Sequence, residues 1–94
     1  MNSEQTILIT GSSDGIGLAT ALRLATLGHE VLLHGRDPAK LNSAKDLIFK
    51  KTGKAPKTVC ADISSMKEVL RLADFVNSNY PKLDTLINNA GGLF

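Results

Sequence analysis

Cysteine is almost missing from this chain: Cys60 stands alone among 94 residues. One thiol excludes an internal disulfide framework and cannot by itself build a thiolate metal site. Histidine is nearly as scarce. His29, His34 and Cys60 are too scattered along the chain for a metal set or a nucleophile–base pair. Aromatic residues make up 4% of the chain, and the longest basic run is Lys50-Lys51. With a net charge of only +2 and no basic cluster interleaved with aromatics, nucleic acid is not an expected partner. No apolar run approaches the length of a bilayer span, and Met1-Asn2-Ser3-Glu4 lacks the basic start of a secretory signal. The expectation is a cytoplasmic protein with no membrane partner. Repeats, low-complexity tracts and linkers are also lacking, and this length allows one small domain.

What is present is a succession of short apolar runs separated by turn and cap residues. Thr6 to Thr10 reads as a strand with apolar residues in succession, as a parallel strand buried on both faces requires. Ile16 to Leu27 reads as a helix carrying Leu18, Leu22 and Ala25 on one face and ending at Gly28. Val31-Leu32-Leu33 is a second buried strand. Asp37 and Pro38 then supply an N-cap and a first helical residue for a helix with Leu41, Ala44 and Ile48 inward, stopped by Gly53. Thr58 to Ala61 is a short third strand. Ser65-Met66-Lys67-Glu68 fits a capping box and opens a third helix, with Val69, Leu72, Phe75 and Val76 inward. Thr85-Leu86-Ile87 is a fourth strand. The order β-α-β-α-β-α-β predicts an α/β parallel sheet with right-handed crossovers.

The first strand runs into Thr10-Gly11-Ser12-Ser13-Asp14-Gly15-Ile16-Gly17. Between a buried strand and a helix start, one glycine permits the tight turn. Another lets a pyrophosphate approach the backbone, and a third lets the helix pack near the strand. Gly11, Gly15 and Gly17 can fill those roles, with Ser12 and Ser13 as hydroxyl donors and the helix amides and dipole attracting phosphate oxygens. A Walker-type loop needs Lys-Ser/Thr after its last glycine, whereas Leu18-Ala19 follows Gly17. Methyltransferase and NAD sites place a carboxylate at the end of the second strand for the ribose hydroxyls. Here that place is taken by Gly35, with Arg36 beside it. A guanidinium suits a phosphate dianion through paired hydrogen bonds, which favours NADP over NAD. Asp14 works against this, because its carboxylate repels a phosphate close by.

These residues, followed by Asp62-Ile63 and Asn88-Asn89-Ala90-Gly91, resemble the short-chain dehydrogenase/reductase family from about Thr6 to Gly91. The resemblance implies a Rossmann-type doubly wound parallel sheet, truncated to four strands in the order 3-2-1-4 with three helices. It makes residues 1–94 a single NAD(P)-binding domain. It further implies that Ser12, Ser13 and the Ile16 amide join the glycines around the coenzyme phosphates, and that Arg36 holds the 2′-phosphate. Asp62 would accept from the adenine amino group beside Ile63. Asn88, Asn89, Ala90 and Gly91 would close the fourth strand beside the adenosine ribose, with Asn88 mainly bracing the sheet.

In the family, carbonyl reduction uses a serine, a further asparagine and a Tyr-x-x-x-Lys pair on a helix after the fifth strand. Tyr80 is the sole tyrosine here, and Asp84 stands four residues later. The expectation is therefore the coenzyme-binding half of an NADP-dependent oxidoreductase, inactive alone and taking its carbonyl or alcohol substrate only within a longer parent. A standalone dinucleotide-binding module and an interaction protein with an open sheet edge are the alternatives. Such an edge, with apolar area on one sheet face, would favour self-association or a covering partner. Cys60 reads as a small core residue, His29 as exposed, and His34 as a surface or packing residue.

Overall fold

The computed structural model describes residues 4–62, 64, 66–80 and 83–89. They form β1 (Thr6–Ile9), α1 (Gly15–Thr26), β2 (Glu30–Gly35), α2 (Pro38–Thr52), β3 (Lys57–Cys60), α3 (Met66–Asn79) and β4 (Thr85–Ile87). All pairings are parallel, and the strands lie in the order β3-β2-β1-β4. The expected elements are all present, with bounds shifted by a few residues at most.

Local chemistry sets the helix ends. The Asp37 carboxylate accepts from the amides of Ala39 at 2.9 Å and Lys40 at 3.4 Å, while Pro38 lacks the N–H that would otherwise go unpaired there. At the far end Gly53 takes φ +79° and donates to the Phe49 carbonyl at 2.8 Å, an αL cap of the kind glycine adopts without strain. The capping box expected at Ser65–Glu68 falls partly outside the described residues. Glu68 itself accepts from Arg71 at 2.6 Å and from the Asp62 amide at 3.5 Å.

Strand alternation divides the core into two layers. Ile7, Ile9, Val31 and Leu33 meet Ala21 of α1 and Leu41, Ala44 and Ile48 of α2. On the other face Leu8, Leu32, Val59 and Ala61 meet Leu72 and Val76 of α3, with Phe75 packed alongside. The Val69 side chain lies outside the described set. Ile9, Leu33 and Ile48 are fully buried, each contributing roughly 1.5–3 kcal/mol by leaving water. On the α3 face Leu86 of β4, the register partner of Leu8, remains 58% exposed. β4 pairs with β1 alone among the described strands. Among the described residues, then, β4 has one unpaired edge and Leu86 is an exposed apolar side chain on it.

Two expectations need correction. Cys60 is exposed rather than in the core: it ends β3, an edge strand with a neighbour on one side only. His29 is half-buried rather than exposed, because its Nδ1 accepts from the Gln5 amide at 3.1 Å. Among the described residues no helix is long and apolar enough to cross a membrane.

Candidate functional site

Parallel strands begin at one edge of the sheet and end at the other, so the carboxyl ends of all four strands bring residues 11–17, Arg36, Asp62, Asn88 and Asn89 to one edge. Gly11 and Gly15 adopt φ of +62° and +59°, the left-handed region that L side chains resist. Between them Ser12 turns inward. Its Oγ donates to the Ile9 carbonyl at 2.8 Å and accepts from the His34 amide at 2.9 Å, and its own amide donates to the His34 carbonyl at 2.8 Å. Ser12 is fully buried. This corrects the expectation that its hydroxyl faces a phosphate: the residue fastens the loop to β2. Ser13 is half-buried and packs over Gly35, where an added Cβ would lie 2.9 Å from Ser13 Oγ.

The first helical hydrogen bond of α1 runs from the Leu18 amide to the Asp14 carbonyl at 3.2 Å. The amides of Gly15, Ile16 and Gly17 precede it and have no turn above them to bond. Nothing lies within 4 Å of a Cβ position at Gly15, and Ile16 is 79% exposed. Among the described residues the first turn is therefore uncovered at Gly15 and Ile16. Asp14 occupies the N-cap position without a side-chain cap hydrogen bond. Its carboxylate reaches instead to Lys40 Nζ at 3.3 Å, both side chains being exposed. Such a pair adds little stability, but it sets a cation against the one acidic group in the loop.

Gly17 serves close packing. A Cβ there would overlap the Gly11 carbonyl oxygen and lie 2.7 Å from Asn89 Nδ2. That amide donates to the same carbonyl at 3.0 Å. The Asn89 N–H donates to Thr10 Oγ1 at 2.9 Å, and Thr10 Oγ1 in turn donates to Asn88 Oδ1 at 3.1 Å. The brace assigned in advance mainly to Asn88 is shared, and half-buried Asn89 carries its contact to the glycine loop. Asn88 is exposed.

Arg36 and Asp62 emerge exposed from the ends of β2 and β3. Asp62 Oδ1 accepts from Ser64 Oγ at 2.7 Å and from the Ser64 amide at 3.0 Å. These bonds, the hydroxyl foremost, hold its carboxyl below the usual range, with the Arg36 cation adding to the effect. Ile63, Ala90 and Gly91 lie outside the described residues.

His34, expected as a surface or packing residue, proves to be buried, and its two ring contacts are what the sequence did not show. It is 3% exposed, with Nδ1 accepting from the Gly11 amide at 2.9 Å and Nε2 lying 2.8 Å from the Ala61 carbonyl. The available signal was a polar residue closing an apolar strand, level with the glycine loop. Tyr80 lies at the opposite edge, before the start of β4, against Phe75. A cleft of about 240 Å³ lined by residues including His29, Glu30, Lys54 and Pro56 is also at that amino edge, remote from the glycine loop. Among the described residues no group of three His, Cys, Asp or Glu could hold a metal ion.

The model of the family described as short chain dehydrogenase matches residues 5–93. The 7α-hydroxysteroid dehydrogenase of Escherichia coli K12 is 40% identical over 85 residues, covering 90% of this chain and 33% of that protein. A Shigella flexneri 2a protein solved in complex with NADP superposes with a TM-score of 0.84 at 35% identity, over 93% of this chain and 37% of that one. YwfH, an NADPH-dependent reductase involved in bacilysin biosynthesis, gives a TM-score of 0.86 at 31% identity over 93% of this chain and 37% of its own. The chain thus spans about a third of the length of the relatives it matches.

Proposed function

This chain belongs to the short chain dehydrogenase family, and on that premise we propose that it is the NADP(H)-binding portion of an oxidoreductase acting between a carbonyl compound and an alcohol. The observation that carries the reading is the open first turn of α1. Three amides there precede the first helical hydrogen bond and, among the described residues, nothing lies within 4 Å of the side-chain position at Gly15, an arrangement that suits a diphosphate. The amides of Gly15, Ile16 and Gly17 and the Ser13 hydroxyl would hold the diphosphate. Arg36 would hold the 2′-phosphate, and Asp62, with Ile63, the adenine. Asn88, Asn89, Ala90 and Gly91 would flank the ribose. Lys40 beside Asp14 offsets the carboxylate that would otherwise repel the phosphates. When bound, NADPH would supply a hydride to the carbonyl compound, or NADP+ would accept one from the alcohol. The chain's own part is to seat and orient the coenzyme, since the 94 residues hold no Tyr-x-x-x-Lys.

The NADP-complexed and NADPH-dependent relatives support this choice of coenzyme. Fluorescence titration tests it: the folded protein is expected to bind NADPH more tightly than NADH, and Arg36→Ala to remove most of the difference, about ten- to a hundredfold. Equal affinities in the native protein would remove Arg36 from its role. Failure of a folded protein to bind either coenzyme would overturn the site. With a ketone added, the 94-residue chain is expected to leave NADPH unoxidised.

A further inference from the structure

His34 closes the apolar run Val31-Leu32-Leu33 of β2, and both its ring nitrogens are engaged away from solvent. The partners decide the protonation state. The Gly11 amide can only donate and the Ala61 carbonyl can only accept, so the ring must carry its hydrogen on Nε2 and keep Nδ1 bare. One neutral imidazole therefore ties the first glycine of the loop to the end of β3, one residue before Asp62. A second proton could enter only at Nδ1, where it would point at the Gly11 N–H, donor against donor.

We propose that His34 is a positioning residue for the coenzyme loop, and that protonation of its Nδ1 releases Gly11 and weakens coenzyme binding. The inference rests on the coenzyme reading above. Burial holds the imidazole below its ordinary range, only partly offset by the Ala61 carbonyl, in keeping with a ring built to stay neutral. The ring's own contacts are to uncharged groups. The charged groups next to its partners are Asp14 on the glycine loop, Arg36 just after β2 and Asp62 just after β3, with Glu68 and Arg71 on α3 bonded to the Asp62 amide and the Cys60 carbonyl. Glu30, Lys57, Lys67 and Asp74 are the other charged residues of β2, β3 and α3. Asp14 is turned to Lys40, Asp62 to Ser64, and Glu68 and Arg71 to each other; among the described residues none bonds the ring.

The sign follows from the lowered value. The unfolded ring takes up a proton near its ordinary pKa of about 6.5, before the folded one does. Stability is therefore highest above that pH and declines through the window down to the folded value. Coenzyme binding, which requires the neutral ring, should weaken by up to about tenfold per pH unit below the folded value.

The test compares native protein with His34→Asn, which can accept from Gly11 but does not titrate. NADPH dissociation constants are measured from pH 8 to pH 5, with folding verified by circular dichroism. The variant is expected to bind within a fewfold of native at pH 8 and to lose affinity less steeply in acid. The titration of the coenzyme's own 2′-phosphate is common to both proteins. Parallel profiles would overturn the proposal.

NMR titration of the ring, with His29→Asn removing the other histidine, supplies a second readout. Saturating NADPH should lower the His34 pKa further, and an unchanged value would also refute the idea. If the folded protein binds no coenzyme at pH 8, the coenzyme reading fails on its own account. The Gly11 amide resonance then still decides the histidine's part. Movement in step with the ring upholds the tie, and indifference to it overturns the tie.

Discussion

Gly17→Ala is expected to abolish measurable NADPH binding and to destabilise the fold by about 3 kcal/mol or more, the upper end of what one added methyl group costs in a packed interior. The added Cβ would overlap the Gly11 carbonyl oxygen, which is backbone and cannot rotate aside. Gly11 is itself pinned, with its amide on His34 Nδ1 and its carbonyl on Asn89 Nδ2. Relief would require α1 to move away from β1, carrying its open first turn with it. Asn89→Ala in the same chain should not rescue the variant, because it removes the softer of the two clashes and also removes the brace. Chemical denaturation and coenzyme titration measure both effects. A Gly17→Ala protein with native stability and affinity would show that the loop and helix are less tightly seated than the distances imply.

Gly35→Asp should be nearly as damaging alone, and repairable. The change places a carboxylate where NAD-selective sites carry one. The aspartate Cβ would sit 2.9 Å from Ser13 Oγ, 3.0 Å from Ser13 Cβ and 3.3 Å from Leu41 Cγ. Crowding of this kind costs roughly 1–3 kcal/mol. Ser13→Gly removes the two closest atoms and leaves Leu41 Cγ, at 3.3 Å, as the next, which can yield by a few tenths of an ångström. The double variant is therefore expected to recover at least about 1 kcal/mol relative to the sum of the single changes and to prefer NADH. Additive stabilities in this double-mutant cycle would mean that Ser13 does not exclude a side chain at position 35. A double variant still preferring NADPH would leave Arg36 dominant over the new carboxylate.

The architecture was legible because its determinants are local. Apolar strands, the Asp37-Pro38 start and the Gly53 stop each act within a few residues, and together they specify the order of elements. From that order, the family resemblance leads to the strand arrangement. For the candidate site, the sequence indicated which residues stand at the strand ends but not how their side chains turn. Ser12 and Ser13 are alike in sequence. Only the register between the loop and β2 turns one inward, onto Ile9 and His34, and leaves the other over Gly35. Cys60 looked like a core residue because its strand is short and apolar, and its exposure follows from the place of β3 at the sheet edge. The part His34 plays was illegible for a different reason. Its importance lies in two partners, 23 and 27 positions away, and no local pattern announces them.

One contact that steadies the glycine turn spans a long stretch of chain: Asn89 and Gly11 are 78 positions apart. Closing so long a loop is entropically slow, and structure depending on it forms late. During synthesis, then, the first three strands and two helices can emerge and begin to pack while the turn still lacks its asparagine clamp. Competence to hold a dinucleotide should consequently arrive as a late step of maturation, after β4 has docked against β1.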